Sequence, residues 1–501
     1  MRAFIDARTV ASGANLQTDL LIVGGGAAGI SLALALANMP IKVLMLESGG
    51  TDFNARTQAL YKAGSETGVP YLHLEGSRLR YLGGSTNHWG GWCRPLDEID
   101  FEPRSWVPHS GWPIARKDLE PYFDRAQALV EAGPFIYDQP KKWSQAQNAN
   151  PLALGKGGVF TTYFQYSKTR DSDLPTHFGD RYGEDLKRVR NLNVMLHANV
   201  TGIRLSHDAG HVDHVDVATL TGKHFKIAAK YVVVAVGGIE NARLLLASND
   251  VMKTGIGNAN DLVGRFFADH PIPGEVGTLA VFNGDIAPYY LVPRSALGAT
   301  FRSAFTPTDA RKRATQGLSS LTTVEGEIQL DGQDQAVVAA TASSLGIDTS
   351  GMKVFTLGCG MEIVPDPDRR LTLSGERDAL GMPRLKLNMT ISDQDFARYR
   401  ATLHELGRQL LASKVGMLRI RHTTRAEWLS TMDWGNHHMG TTRMSSDPKL
   451  GVVDANCQVH GIPNLYIAGS SVFPTYSASN PTMNLIALTL RMADHLKAQF
   501  P

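Results

Sequence analysis

Six residues, Gly24-Gly25-Gly26-Ala27-Ala28-Gly29, lie between an apolar run and a helix-forming run, and that placement constrains the fold more than any other feature of the chain. Upstream, Asp19-Leu20-Leu21-Ile22-Val23 is too apolar to alternate, the pattern of a parallel strand buried on both faces. Downstream, Ser31-Leu32-Ala33-Leu34-Ala35-Leu36-Ala37 predicts a helix, Pro40 stops it, and Val43-Leu44-Met45-Leu46 supplies a second strand. Together they form a βαβ unit. The G-x-G-x-x-G spacing is weak alone. In this context Gly24, Gly26, Ala27, Ala28 and Gly29 become candidate dinucleotide contacts, because glycine backbone can approach a pyrophosphate while the helix N-terminus faces its negative charge. Glu47, followed by Ser48, ends the second strand eighteen positions after Gly29. An acid there accepts hydrogen bonds from a ribose diol and disfavours a 2′-phosphate.

Two further runs have the same buried character. One is Tyr231-Val232-Val233-Val234-Ala235-Val236, closed by Gly237-Gly238 and followed by a helical pattern; the other is Leu465-Tyr466-Ile467-Ala468-Gly469, with Ser470 after it. Three such strands so far apart predict one sheet assembled from distant segments. FAD and NAD share the glycine fingerprint, but a late return to the nucleotide domain is a flavoprotein feature that an NAD enzyme does not need. Between these strands, 274–282, 318–330 and 353–373 are β-rich with turn residues between, as in an antiparallel sheet. Apolar stripes predict two helices, one through Leu119, Phe123 and Ala126 and one through Phe396, Leu403 and Leu410. The expected fold is α/β: an FAD-binding Rossmann-like domain (1–95, 190–272 and 425–501) with an inserted α+β substrate domain on an antiparallel sheet (96–189 and 273–424). The stretch 331–351, rich in Gln, Ala and Ser, is expected to be mobile.

At 501 residues the chain can bury a sizeable core, and its 50 basic and 48 acidic side chains nearly cancel, which gives no electrostatic case for nucleic acid. Arg311-Lys312-Arg313 reads as a solvated loop. Cys93, Cys359 and Cys457 are too widely separated for a disulfide framework, a zinc cluster or a four-cysteine iron–sulfur site. The N-terminus carries Arg2, Asp6 and Arg8 without an apolar region, and no span suits a membrane. Reduced thiols and a cytoplasmic, membrane-free protein are the expectation.

The motifs, in order, are the glycine turn, Gly83-Gly84-Ser85-Thr86-Asn87-His88-Trp89, Gly111-Trp112-Pro113, Gly237-Gly238-Ile239-Glu240-Asn241, Gly264-Arg265-Phe266, Asp269-His270-Pro271, Pro365-Asp366-Pro367-Asp368-Arg369-Arg370, and a C-terminal block holding Asn436-His437-His438-Met439-Gly440 and Asn480-Pro481-Thr482. This series resembles the glucose–methanol–choline oxidoreductase family of FAD-dependent alcohol and sugar oxidoreductases. It is most similar to the branch of pyranose oxidases, C-glycoside oxidases and bacterial sugar dehydrogenases. It departs from the iron–sulfur-containing glucose dehydrogenase subunit by lacking that cysteine cluster.

The resemblance implies a sugar, glycoside or related polyol as substrate, hydride transfer to flavin N5, and oxygen or a quinone-like compound as electron acceptor. It places His437 as the general base, with His438 as a neighbour. Histidine suits a base because its ordinary pKa, about 6.5, leaves the neutral form abundant near pH 7. Asn480 takes the family's second polar position as donor to the substrate oxygen, although Asn before Pro481 is also a favourable helix N-cap. Gly84, Ser85, Asn87, His88 and Trp89 would line the isoalloxazine, Val200, late in a strand expected over 193–200, the adenine, Gly469 and Ser470 the returning turn, and Pro481 and Thr482 the flavin pyrimidine. In pyranose oxidase a histidine matching His88 is covalently linked to FAD; noncovalent binding is the expectation here. Asp269-His270-Pro271 reads as a domain crossover, since a lone Asp-His pair is too few ligands for a metal. Two alternatives remain: an FAD-retaining hydroxynitrile lyase and a non-enzymatic flavin carrier.

Overall fold

The computed structural model describes residues 3–71, 74–155, 157–168 and 173–500; Arg2 of the charged N-terminus lies outside them. The βαβ unit forms as the sequence demands. Strand β1 (Asn15–Val23) runs into helix α1 (Ala27–Ala35) and then β2 (Val43–Leu46), and β1 and β2 pair in parallel. On the other side of β2 lies β3 (Leu192–Leu196), also parallel. The opposite edge of β1 pairs in parallel with β5 (His224–Val234), which in turn pairs with β6 (Leu465–Ile467). Leu20, Leu21, Ile22, Val232, Val233 and Val234 are fully buried, the reason these runs show no alternation. An antiparallel ribbon, β4 (Asn199–Leu205) and 212–218, extends this sheet beside β5, and Ile5–Asp6 pairs in parallel with β3 at the opposite edge. Helix α2 (Gly237–Ala247) follows β5, and α3 (Pro481–Lys497) packs against α1.

A second sheet is antiparallel and runs in the order 416–420, 277–281, 353–361, 320–328, 299–307, 159–166 and 92–93. Smaller ladders tie the two sheets' regions together. Pro271–Pro273 pairs with Met432–Trp434, and 65–68 adds a parallel strand to the hairpin of 370–377 and 383–389. No helix among the described residues is long and apolar enough to cross a membrane.

Three local expectations are corrected. The stretch 331–351 is largely helix, Gly332–Ser344, capped by Asp331 accepting from the Asp334 amide at 2.8 Å. It buries little more than Val338 and Ala342 against Ala280, Phe282 and Val354, a contact too narrow to leave a periodic stripe in the sequence. The strand expected over 193–200 is two strands, separated where His197 takes a left-handed φ of 59°. Arg311-Lys312-Arg313 lies in the helix Asp309–Thr315, with Lys312 buried and paired to Asp309 at 2.7 Å.

Gly29 shows how tightly α1 seats on the sheet, because a Cβ there would lie 1.9 Å from the Gly24 carbonyl oxygen. Gly29→Ala is expected to cost about 1–3 kcal/mol through overpacking, read as a lowered thermal unfolding midpoint; an unchanged midpoint would show that the turn relaxes freely.

Candidate functional site

The C-terminal ends of β1, β5 and β6 open into a cavity of about 410 Å³, within the range of cofactor and small-molecule sites. Gly24, Gly26, Ala27 and Ala28 line one wall, and a Cβ on Gly26 would meet no atom within 4 Å because the cavity lies there. Gly26 caps α1 without a side-chain hydrogen bond, so the helix N-terminus points its amides at open space. Glu47 and Ser48 also line the cavity. The Glu47 carboxylate accepts from the Gly25 amide (3.0 Å), the Gly49 amide (2.8 Å) and the Ser48 hydroxyl (3.1 Å). With about four acceptor positions, it retains capacity for a ligand hydroxyl.

Gly84, Ser85, His88 and Trp89, from a 3₁₀ turn, form a further wall, and Val200, Gly469, Ser470, Pro481 and Thr482 complete it. Two expected contacts stand behind the wall. Gly29 packs beneath the Gly24 carbonyl, and the Asn87 amide donates to the Leu82 carbonyl at 2.9 Å, bracing the turn that presents its neighbours.

A charged ring around Glu240 on the cavity wall escaped the sequence reading. Arg78 pairs with Glu240 at 2.8 Å and lies 3.9 Å above the Tyr61 ring, while Arg243 joins Glu240 at 3.1 Å to Asp378 at 2.7 Å. Burial raises the Glu240 carboxyl, but Arg243, Arg78 and Arg80 outweigh it and bring its pKa down to about 2. Glu240 lay within a recognised motif; its partner Arg78 is 162 positions away, beyond any local pattern.

His437 and Asn480 also line the cavity, with Gly435, Asn436 and His438. The ladder of 271–273 with 432–434 brings Asp269 and His270 against this segment. Asp269 accepts from the amides of His437 (2.8 Å) and His270 (2.7 Å) through Oδ1, and from the Tyr71 hydroxyl (2.5 Å) through Oδ2. Burial pushes the Asp269 pKa up to about 7 against these hydrogen bonds. The reading of Asp269-His270-Pro271 as a crossover is therefore incomplete: Pro271 begins the ladder, while the two residues before it touch the histidine block.

His270 Nδ1 lies 2.7 Å from His437 Nδ1, and His270 Nε2 lies 2.9 Å from the Ser477 carbonyl. The Asn480 side-chain amide donates to His437 Nε2 at 3.1 Å. Asn480 occupies the N-cap position of α3 but makes no side-chain capping bond, so its amide serves the histidine instead of the helix. Burial lowers the His437 pKa well below its ordinary value, with His270 and His438 adding to the push, and burial lowers that of His270 to about 4. Both rings are neutral near pH 7.

His438 turns its ring onto Phe267 (5.9 Å, stacked) and towards Tyr71 (6.3 Å). Its Nε2 is buried with no protein partner, and burial lowers its pKa to about 3. Among the described residues, Asp269, His270 and His437 form a group with ligand atoms within 4.8 Å of one another. The 2.7 Å separation of the two Nδ1 atoms is a hydrogen bond; two nitrogens on one tetrahedral zinc would stand about 3.3 Å apart. Cys93, Cys359 and Cys457 are buried and unpaired.

Two family models described as GMC oxidoreductase match the chain, over residues 18–272 and 365–489. A 2-methyl-1,2-propanediol dehydrogenase from Mycolicibacterium austroafricanum is 25% identical, covering 97% of this chain and 96% of that protein. The fructose dehydrogenase large subunit from Gluconobacter japonicus is 28% identical, covering 96% and 98%. In fold, pyridoxine 4-oxidase from Mesorbium loti superposes with a TM-score of 0.60 at 19% identity, covering 95% of this chain and 98% of that one.

The His438 environment makes a signed prediction about stability. An unfolded histidine titrates near 6.5, whereas His438 in the fold titrates near 3. The unfolded chain therefore binds the proton first, and the stability present above pH 6.5 is lost as pH falls towards 3. His438→Phe keeps the ring and removes the titration. Relative to the parent, its unfolding free energy from chemical denaturation should rise progressively below pH 6.5, by up to about 1.4 kcal/mol per pH unit; a pH-independent difference would contradict the assignment.

Proposed function

The chain belongs to the GMC oxidoreductase family, FAD-dependent oxidoreductases acting on CH–OH donors, and on that premise we propose that it oxidises a hydroxyl of a sugar, glycoside or related polyol. The family assignment sets aside a non-enzymatic flavin carrier. The observation that carries the reading is His437 Nε2, an acceptor held 3.1 Å from the Asn480 amide on a cavity wall shared with Trp89 and Pro481. The relatives named for a diol and for fructose support the substrate class.

The residues present fit FAD. Open space at Gly26, an α1 N-terminus without a side-chain cap, and the orphaned His438 Nε2 are polar features that a ligand would satisfy. The glycine turn would hold the pyrophosphate, Glu47 and Ser48 the ribose, Val200 the adenine, and Gly84, Ser85, His88, Trp89, Pro481 and Thr482 the flavin ring, with Gly469 and Ser470 at the returning turn. When bound, FAD would supply the acceptor for a hydride from the carbinol carbon.

The protein's part is the proton. His437 Nε2 takes it from the substrate hydroxyl, and the Asn480 amide, released from the histidine, donates to the oxygen as negative charge develops there. Burial keeps His437 neutral and ready to accept. Partial desolvation lowers the His88 pKa, and we take the FAD to be noncovalent, with oxygen or a quinone-like compound reoxidising it.

Three measurements test this. Anaerobic mixing with a panel of sugars, glycosides and polyols should bleach the oxidised flavin; no bleaching together with cyanohydrin cleavage would favour the lyase. His437→Ala should retain FAD yet lose on the order of 10²–10⁴ in turnover, and full turnover in that variant would refute the base. Acid precipitation should leave the flavin in the supernatant, whereas flavin in the pellet would place a covalent bond on the protein.

A further inference from the structure

The hydrogen bonds behind His437 form a chain with a fixed direction. Ser477 offers a carbonyl, which only accepts, so His270 Nε2 must carry a hydrogen. A neutral imidazole protonated at Nε2 presents a lone pair at Nδ1. The neighbouring ring, 2.7 Å away, must then donate from its own Nδ1. That leaves His437 Nε2 unprotonated, facing the cavity. The Asn480 carboxamide, which can turn to present either its nitrogen or its oxygen, follows that tautomer, with its nitrogen 3.1 Å from the unprotonated Nε2. A main-chain carbonyl thus dictates, through one intervening ring, which nitrogen of His437 holds a lone pair.

We propose that His270 is a positioning residue that sets the His437 tautomer, with the Ser477 carbonyl as its anchor. This rests on the reading of His437 as the general base. Without His270, Nδ1 of His437 has no acceptor, and the ring is free to carry its hydrogen on Nε2, where it cannot accept from a substrate hydroxyl. The same contact serves after proton transfer: the imidazolium formed on His437 keeps donating from Nδ1 to a neutral acceptor. Orientation is fixed too. The two rings meet edge to face at 4.9 Å and 79°, and His270 lies edge to face with Tyr476 at 5.1 Å, so neither ring of the pair can turn without displacing the other.

His270→Asn and His270→Leu distinguish this role from packing. The Asn carboxamide oxygen replaces Nδ1 as an acceptor, whereas Leu offers none. In the holoenzyme, with the alcohol that bleaches the flavin fastest, His270→Leu should slow flavin reduction on the order of 10²–10⁴-fold, the scale of a wrong-tautomer defect, with KM little changed. His270→Asn should recover the rate to within about tenfold of the parent. The substrate-free holoenzyme, labelled with ¹⁵N-histidine, gives a readout independent of substrate choice. His437, identified by its loss in His437→Asn, should show the Nδ1–H pattern in the parent and in His270→Asn, and an Nε2–H component in His270→Leu. An Nε2–H pattern in the parent, a Leu variant as fast as the parent, or an Asn variant no faster than Leu overturns the proposal. A substrate panel that fails to bleach the flavin while the tautomer pattern holds would instead count against the sugar-oxidation reading alone.

Discussion

The parallel pairing of β1 with β5 is the constraint on which the site depends. Its register sets Val23 level with Val234, and β6 sets Ile467 level with Val234 in turn. The chain therefore leaves the sheet at one edge three times, at Gly24, at 235–237 and at 468–470, although these turns lie hundreds of residues apart. Each strand end is apolar and buried, so each polar group first appears where the sheet stops. That edge is where an open α/β sheet places ligands, and the glycine turn, the charged residue Glu240 and the returning Ser470 meet there because the register allows nothing else.

The histidine block is held on this edge from both sides. On the sheet side, the Ser470 hydroxyl donates to the His438 carbonyl at 2.7 Å, and Gly238 must lack a side chain because a Cβ there would lie 2.1 Å from that same oxygen. From the other side, Ala268 and Met439 exchange both main-chain hydrogen bonds, at 3.0 and 2.9 Å, and Asp269 takes the His437 amide. Asn436, just before, is in the left-handed region with φ 58°. Irregular backbone pinned at nearly every residue suits the role proposed for His437, whose lone pair must point one way; precision comes from the scaffold rather than from the loop itself.

Much of this was legible because it is written in local pattern. The buried strands, the glycine turn and the antiparallel second sheet each announce themselves within ten or so residues. What the sequence hid depends on contacts between distant segments. Asp269-His270-Pro271 was visible as a motif, but its chemistry arises from a contact spanning 167 positions, and a crossover was the natural reading without it. The ring of Arg78, Glu240, Arg243 and Asp378 was hidden for the same reason. The helix Gly332–Ser344 failed differently: too few of its residues are buried to print a 3.6-residue stripe.

Asn480 turns on the proline after it. As an N-cap, an asparagine would normally bond a free amide of the first turn. Pro481 at the first helical position has no N–H and a backbone angle already suited to the helix, so α3 starts with one fewer donor to satisfy. The Asn480 side chain bonds His437 instead of the N2 or N3 amide it would ordinarily cap, so the Thr482 end of the helix has no side-chain cap at the cavity wall. An uncapped helix N-terminus favours negative charge. The Asn480-Pro481 pair thus gives the cavity two features that a capping asparagine alone would set against each other: a polar side chain not spent on the helix and an electropositive helix end.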